Sequence, residues 1–183
     1  DKLVKKVFRY LKGTPDVELF LGATGDESSL MAWSDAGFAG ASMKSQTGVF
    51  VAWAGAPLLW RSSRQTVSSL STAEAELTAA ALSWQILEGI RVLLEEWGVQ
   101  LAPVKLMLDN SAALTIAENG SNWRTRYFGV RGARICEEIQ KGRLALEHEP
   151  TKTMVADALT KLGTADMLTN LRAAMNGEFS PSV

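Results

Sequence analysis

Residues 104–110 read VKLMLDN, with Pro103 before them and Ser111 after. Val104, Leu106, Met107 and Leu108 make this run apolar on both faces of a strand, and Lys105 is the one interruption. A half-exposed strand would alternate. A run this short and this apolar, stopped by proline at one end and Asp109 at the other, predicts a fully buried central strand. The flanking sequence supplies what such a strand needs around it. Upstream, Val4, Val7, Phe8 and Leu11 recur at helical spacing until Gly13-Thr14-Pro15 stops the helix. Four β-type runs follow: VELFLGAT (17–24), SLMAWSDA (29–36), TGVFVAWA (47–54) and LLWRSSRQTV (58–67). Gly, Pro, Ser and Asp separate them, as an antiparallel meander requires. Trp53 and Trp60 flank Gly55-Ala56-Pro57 as a hairpin pair would. A long helix is predicted from Ser71 to about Trp97, with Leu77, Ala80, Ala81, Trp84, Leu87, Arg91 and Leu94 on one stripe and Gly98 ending it. Downstream come helices at 111–118 and about 129–141, the strand RLALEHE (143–149), and a short helix over about 152–161. These elements make an α/β architecture, a mixed sheet flanked by helices.

The 183 residues suit one domain with a real core. Nineteen basic against twenty acidic residues leave a net charge of −1, so nucleic-acid binding would have to rest on a local patch. Cys136 is the single cysteine and His148 the single histidine, which leaves zinc sites and serine–histidine catalysis poorly supplied. Carboxylates are plentiful. No apolar run approaches the roughly 20 residues of a membrane helix, so no membrane partner is expected. The start, DKLVKKVFRYLKGTPD, has no apolar core with a cleavage site and no initiator methionine, and it reads as part of something longer.

Four acids stand at the ends of elements. Asp35 closes a strand, Asp109 closes the buried one, Asp157 lies in the first turns of the last predicted helix, and Glu76 lies just inside the long helix. Carboxyl ends of strands are where layered α/β sheets place ligands. Glu74 has a structural role, because Ser71-x-x-Glu74 fits a capping box worth about 1 kcal/mol. Glu76 has none, and beside Leu77 and Ala80 its carboxylate is costly unless paired, protonated or metal-bound. Taken singly, each acid has an ordinary reading as a turn, cap or helix-flank residue. Convergence changes the balance. Four carboxylates at one sheet edge repel unless compensated, and two Mg²⁺ or Mn²⁺ ions about 4 Å apart would compensate them and clamp a phosphodiester for in-line displacement.

The stretches WSDAGFAG (33–40), KSQTGVFV (44–51), LLWRSSRQTVSSLSTAEAEL (58–77), LMLDNSAALTIA (106–117) and LEHEPTKTMVADALTK (146–161) together resemble the ribonuclease H domain of copia-type LTR retrotransposons. The likeness covers about residues 17 to 161, and VFRYLKGTPD (7–16) resembles the segment joining that family's reverse transcriptase to its ribonuclease H. The resemblance implies a ribonuclease H-like fold, with a five-stranded mixed sheet of three antiparallel strands followed by parallel ones. It implies residues 1–16 as a helical connection, 17–163 as the ribonuclease H domain, and 164–183 as a tail that is partly helical or disordered. The family's Asp-Glu-Asp-Asp set falls on Asp35, Glu76, Asp109 and Asp157. Its glutamate precedes an apolar residue and then x-Ala, which Glu76-Leu77-Thr78-Ala79 fits and Glu74 does not. In the family's division, Asp35 bridges two Mg²⁺ ions (Mn²⁺ can substitute), Glu76 and Asp109 hold one, and Asp157 holds the other. The implied activity is cleavage of the RNA strand of an RNA–DNA hybrid during reverse transcription, in the cytoplasm or within virus-like particles, beside the upstream reverse transcriptase of the same polyprotein.

Two stretches depart from the family. Gly37, Phe38, Ala39, Gly40 and Ala41 stand where it has Asp-Trp-Ala-Gly-Asp, and Arg126, Tyr127, Phe128 and Gly129 where it has Lys-His-Ile-Asp. Both bear on substrate contacts and leave the acids intact. His148 lies nine residues before Asp157, near where some ribonucleases H carry a loop histidine, but here it falls inside a predicted strand. For the hybrid, Arg61, Ser63 and Arg64 before the long helix suit phosphate contacts. Arg124 and Arg126, in a basic segment with Arg131, Arg134, Trp123 and Tyr127, suit an A-like minor groove. Asn110 suits a 2′-hydroxyl. Each has a plain alternative as a charged edge, a solvated helix face or a helix cap. Two other readings keep the fold: a non-catalytic binding module of the connection type, and an integrase-like strand transferase, against which Asp157 and the copia-like flanks speak.

Overall fold

The computed structural model describes residues 1–39, 43–111 and 129–178. Five strands form one sheet in the order β3-β2-β1-β4-β5, with β1 Leu30–Gly37, β2 Gln46–Trp53, β3 Ala56–Arg64, β4 Val104–Leu108 and β5 Leu144–His148. The pairs β1–β2 and β2–β3 are antiparallel, and β1–β4 and β4–β5 are parallel. VKLMLDN therefore supplies an internal strand, and Val104, Leu106, Met107 and Leu108 are all buried. Leu106 and Leu108 face one core with Val49 and Val51 of β2 and Leu77, Trp84 and Leu87 of α2 (Thr72–Glu96). Met107 faces the other core with Trp33, Phe50, Met154 and Val155, closed by Leu171, Ala174 and Met175 of α5 (Ala165–Met175).

α2 is positioned at its first turn. The Ser71 hydroxyl accepts from the Glu74 amide at 3.2 Å, and the Glu74 carboxylate accepts from the Leu70 amide at 2.6 Å, one residue before the partner a standard capping box uses. Buried Gln65 fixes the same turn from below. Its amide nitrogen donates to the Thr47 hydroxyl at 3.1 Å and to the Ala75 carbonyl at 2.8 Å, and its oxygen accepts from Ser69 at 3.0 Å. By length and composition α2 could cross a membrane. Leu77, Ala80, Trp84, Leu87 and Leu94 instead join the core against the sheet, while Val92 and Leu93 are exposed. Arg91, expected on the apolar stripe, pairs with Glu88 and Glu95.

Several expected elements are corrected. The run 17–24 alternates like a strand but forms none; the Thr24 and Gly25 amides both donate to the Ala54 carbonyl at 2.8 Å, so they serve the hairpin turn and not a ladder. In that turn Ala54 and Gly55 both have positive φ, 51° and 79°, as a two-residue primed turn demands. The hairpin register sets Phe50, and not Trp53, opposite Trp60. The helix expected from about 152 begins at Asp157, and α4 spans only Asp157–Thr160. The chain at 150–156 makes separate turns, with the Thr153 and Met154 amides both donating to the Pro150 carbonyl. α4 lies close on β2. A Cβ on Gly48 would come within 2.8 Å of the Ala156 carbonyl oxygen and 2.9 Å of the Leu159 Cβ, so only glycine admits this helix. α3 (Gly129–Gln140) packs on α2. The expected helix at 111–118 and the segment with Trp123, Arg124, Arg126 and Tyr127 lie outside the described residues.

α1 (Lys2–Gly13) has no buried residue. It meets α5 through Tyr10, whose ring lies 5.0 Å beneath the Arg172 guanidinium. Val4, Val7, Phe8 and Leu11 are exposed.

Candidate active site

Asp35 and Asp109 reach the carboxyl-end edge of the sheet for a topological reason. β1 and β4 are parallel neighbours in a register that pairs Ser34 with Leu108, so the next residues, Asp35 and Asp109, lie side by side. Asp109 is just past β4, whereas Asp35 is still within β1, which runs two residues beyond it to Gly37 rather than ending at Asp35 as expected. Glu76 reaches the same point from the first turn of α2. One carboxylate oxygen from each of Asp35, Glu76 and Asp109 lies within 4.8 Å of the others. Asp35 and Glu76 are buried, at 1% and 5% exposure, and Asp109 is half-buried. The cleft above them measures about 700 Å³ and is lined also by Phe38, Thr72, Asn110, Ser111, Thr160 and Lys161.

Asp157, the first residue of α4 and 2% exposed, joins the group through a cation. The Lys161 ammonium lies 2.7 Å from Asp157 Oδ1 and 3.6 Å from Asp35 Oδ1. Thr160 Oγ1 donates to Asp35 Oδ2, and Thr151 Oγ1 donates to Asp109 Oδ2 at 3.4 Å. Thr160 and Lys161 went unread in the sequence, where the one available signal was the i,i+4 spacing of Lys161 from Asp157.

Burial and mutual repulsion govern the protons here. Glu76 is pushed up to about 9, first by burial, then by the charges of Asp35 and Asp109, with Lys161 and the Ala36 amide opposing. Asp109 is raised by burial and then by Asp35. Asp157 is raised by burial, against its hydrogen bond with Lys161. This arrangement suits a hard divalent cation: oxygen donors only, close enough to share one ion, and costly to ionise without it.

A pH dependence of the metal-free protein follows. Below the ordinary glutamate range Glu76 is protonated folded and unfolded alike, and no stability is lost. Between about 4.5 and 9 the unfolded chain ionises there while the folded one resists, so stability drains away as pH rises and levels off above the folded value. Asp109 and Asp157 act with the same sign. Thermal melts in chelator across this window should show the decline, and Glu76→Gln should flatten it. Equal slopes for wild type and variant would refute the assignment of Glu76.

The expected substrate residues are only partly assembled. Arg61, Ser63 and Arg64 lie at the β3 end that shares an edge with Asp35, since Asp35 pairs with Gly48 and Gly48 with Ser62. Arg61 and Arg64 are exposed, and Arg61 Nε donates to the Ser63 hydroxyl at 3.2 Å. Asn110 lines the cleft. Arg124 and Arg126 lie outside the described residues. Arg134 is committed elsewhere, 3.2 Å from Glu137 and 3.0 Å from the fully buried Glu138. His148 is the exposed last residue of β5 and is not among the clustered acids.

No protein-family model matches the chain. It is 35% identical over 162 residues to the retrovirus-related Pol polyprotein from transposon RE2 of Arabidopsis thaliana, covering 86% of this chain and 11% of that protein. To the Pol polyprotein from transposon TNT 1-94 of Nicotiana tabacum it is 31% identical over 162 residues, 87% of this chain and 12% of that one. The chain thus spans about a tenth of the length of the curated relatives it matches. Among solved structures, LC11-RNase H1 in complex with an RNA/DNA hybrid superposes with a TM-score of 0.58 at 16% identity, over 76% of this chain and 99% of that one. At that identity the likeness establishes the fold, which is the ribonuclease H fold.

Proposed function

The chain is a ribonuclease H-fold domain of the retrotransposon Pol polyprotein kind, and from that premise we propose that it hydrolyses the RNA strand of RNA–DNA hybrids with two bound Mg²⁺ ions. One observation carries the proposal: Asp35, Glu76 and Asp109 converge within 4.8 Å from three separate elements, at the mouth of an open cleft. A cleft this open suits a polymer passing across it. Asp35, Glu76 and Asp109 would hold one cation, and Asp35 with Asp157 the other. Bound there, the divalent cations would supply a deprotonated water at neutral pH and neutralise the charge building on the phosphodiester. The protein's part is to hold its carboxylates aligned; the bound cations would keep them ionised against the burial that raises Glu76, Asp109 and Asp157. Thr160 and Thr151 fix the rotation of Asp35 and Asp109 by hydrogen bonds. Gly48 lets α4 approach so that Asp157 shares the edge. Arg61 and Arg64 would hold backbone phosphates to one side, and Asn110 would meet a 2′-hydroxyl in the cleft.

On the same reading the domain works in the cytoplasm or in virus-like particles, beside a reverse transcriptase of the same polyprotein. The uncovered apolar residues of α1 suit packing against another part of a longer chain. The competing reading is a non-catalytic module that kept the fold, and metal linkage separates the two. Ions that bind only the folded state stabilise it by mass action, so millimolar Mg²⁺ or Mn²⁺ should raise the melting temperature, by several degrees if the concentration is about a hundred times Kd. Zn²⁺ should not be required. A melting temperature indifferent to both Mg²⁺ and Mn²⁺ would favour the non-catalytic module.

A further inference from the structure

Lys161 occupies a place the proposed function reserves for metal. Its ammonium lies between carboxylate oxygens from two elements, 2.7 Å from Asp157 and 3.6 Å from Asp35. Lys161 is the residue after α4, already in extended conformation, and its backbone N–H donates to the Asp157 carbonyl at 3.0 Å. Its side chain is 41% exposed, whereas those of Asp35 and Asp157 are 1% and 3% exposed. The acids are buried and the ammonium reaches solvent, on a four-carbon stem that can swing outward without moving α4.

We propose that Lys161 is a built-in counter-cation for the Asp35–Asp157 side of the cleft, which a divalent cation must displace in order to bind there. The inference rests on the proposed two-metal reading and adds a regulation to it. One positive charge cannot satisfy four carboxylates, but it can hold the two it touches in register while no metal is present. It thereby lowers repulsion in the metal-free fold and, by the same contacts, weakens metal binding on that side. On the Asp35–Glu76–Asp109 side the ammonium forms an ion pair with Asp35 alone, at 3.6 Å, so that side is the less obstructed of the two. Cation loading then becomes sequential, with the Asp35–Glu76–Asp109 side filling at lower concentration. Once displaced, the ammonium stays at the rim of the same cleft, where an incoming phosphate offers it a new partner.

Calorimetric titration of the chelator-treated protein with Mn²⁺, paired with melting curves, tests this without any activity readout. Wild type should bind in two phases. Lys161→Met should tighten the weaker phase, on the order of tenfold, by removing the competitor. It should also lower the metal-free melting temperature and enlarge the rise on adding Mn²⁺. Lys161→Arg, which keeps the charge, should retain the weak second phase. Should the Met variant be unfolded without metal, recovery of the fold on adding Mn²⁺ would be the same competition in another form. Failure to fold even with Mn²⁺ would make Lys161 structural and overturn the inference. A wild type that binds Mn²⁺ in two phases, with a variant binding no more tightly, overturns this inference alone. A wild type that binds no Mn²⁺ overturns the two-metal reading with it.

Discussion

Asp109→Asn is expected to abolish hybrid cleavage while raising the melting temperature of the metal-free protein. Both effects have one cause. Asp109 is held above the ordinary carboxylate range by burial and by the Asp35 charge, so its ionised form is a cost the fold carries. Asparagine keeps the shape and can still accept from Thr151, but it brings no charge. Removing the charge relieves repulsion, and each kcal/mol gained is worth about 2–4 °C in a domain of this size. The same loss removes a metal ligand from the Asp35–Glu76–Asp109 group. Cleavage should fall on the order of a thousandfold, since each factor of ten is about 1.4 kcal/mol of barrier. Melting curves in chelator and initial rates on a labelled hybrid read the two quantities separately. Wild-type rates in this variant would sink the site assignment, and a lowered metal-free melting temperature would sink the electrostatic account.

The second large effect separates two glutamates on one helical turn. Glu74 accepts from the Leu70 amide at 2.6 Å, a capping contact at the rim of the fold. Glu76 is buried against Asp35 and Asp109. Glu74→Gln should change little, because an amide oxygen also accepts that bond. Glu74→Ala should cost about 1 kcal/mol of stability with turnover largely kept. Glu76→Gln should do the reverse: the metal-free protein should be as stable or more so, and cleavage should collapse. The pair is internally controlled, since both changes fall on the same turn. If Glu74→Gln kills cleavage and Glu76→Gln spares it, the catalytic register of α2 is shifted by two residues.

The sequence disclosed most where local chemistry decides structure. Four apolar residues between Pro103 and Asp109 could only be an internal strand, and Ser71 with Glu74 marked the start of α2 to the residue. All four acids could be named because strand ends and helix starts can be counted along the chain, and the structure gathers Asp35, Glu76 and Asp109 within 4.8 Å of one another. Where tertiary choice decides, the sequence was silent. Residues 17–24 alternate as a strand should, yet whether an edge is free to receive them is not written in them. A helix is expected from about Lys152, but the Thr153 and Met154 amides both turn back on the Pro150 carbonyl. The residues up to Ala156 join α4 only through three-residue turns, such as Asp157 on Met154. Lys161 stayed hidden because an i,i+4 acid–base pair is ordinary on any helix. Its meaning comes from Asp35, which reaches it from more than a hundred residues away.

Cleavage of an RNA–DNA hybrid, labelled on the RNA strand and incubated with the purified chain in Mg²⁺ and in chelator, tests the central claim most directly. The account predicts cleavage of the RNA strand alone, with 5′-phosphate ends, in Mg²⁺ and none in chelator. An intact RNA strand in Mg²⁺ with folded protein, or equal cleavage in chelator, would contradict it.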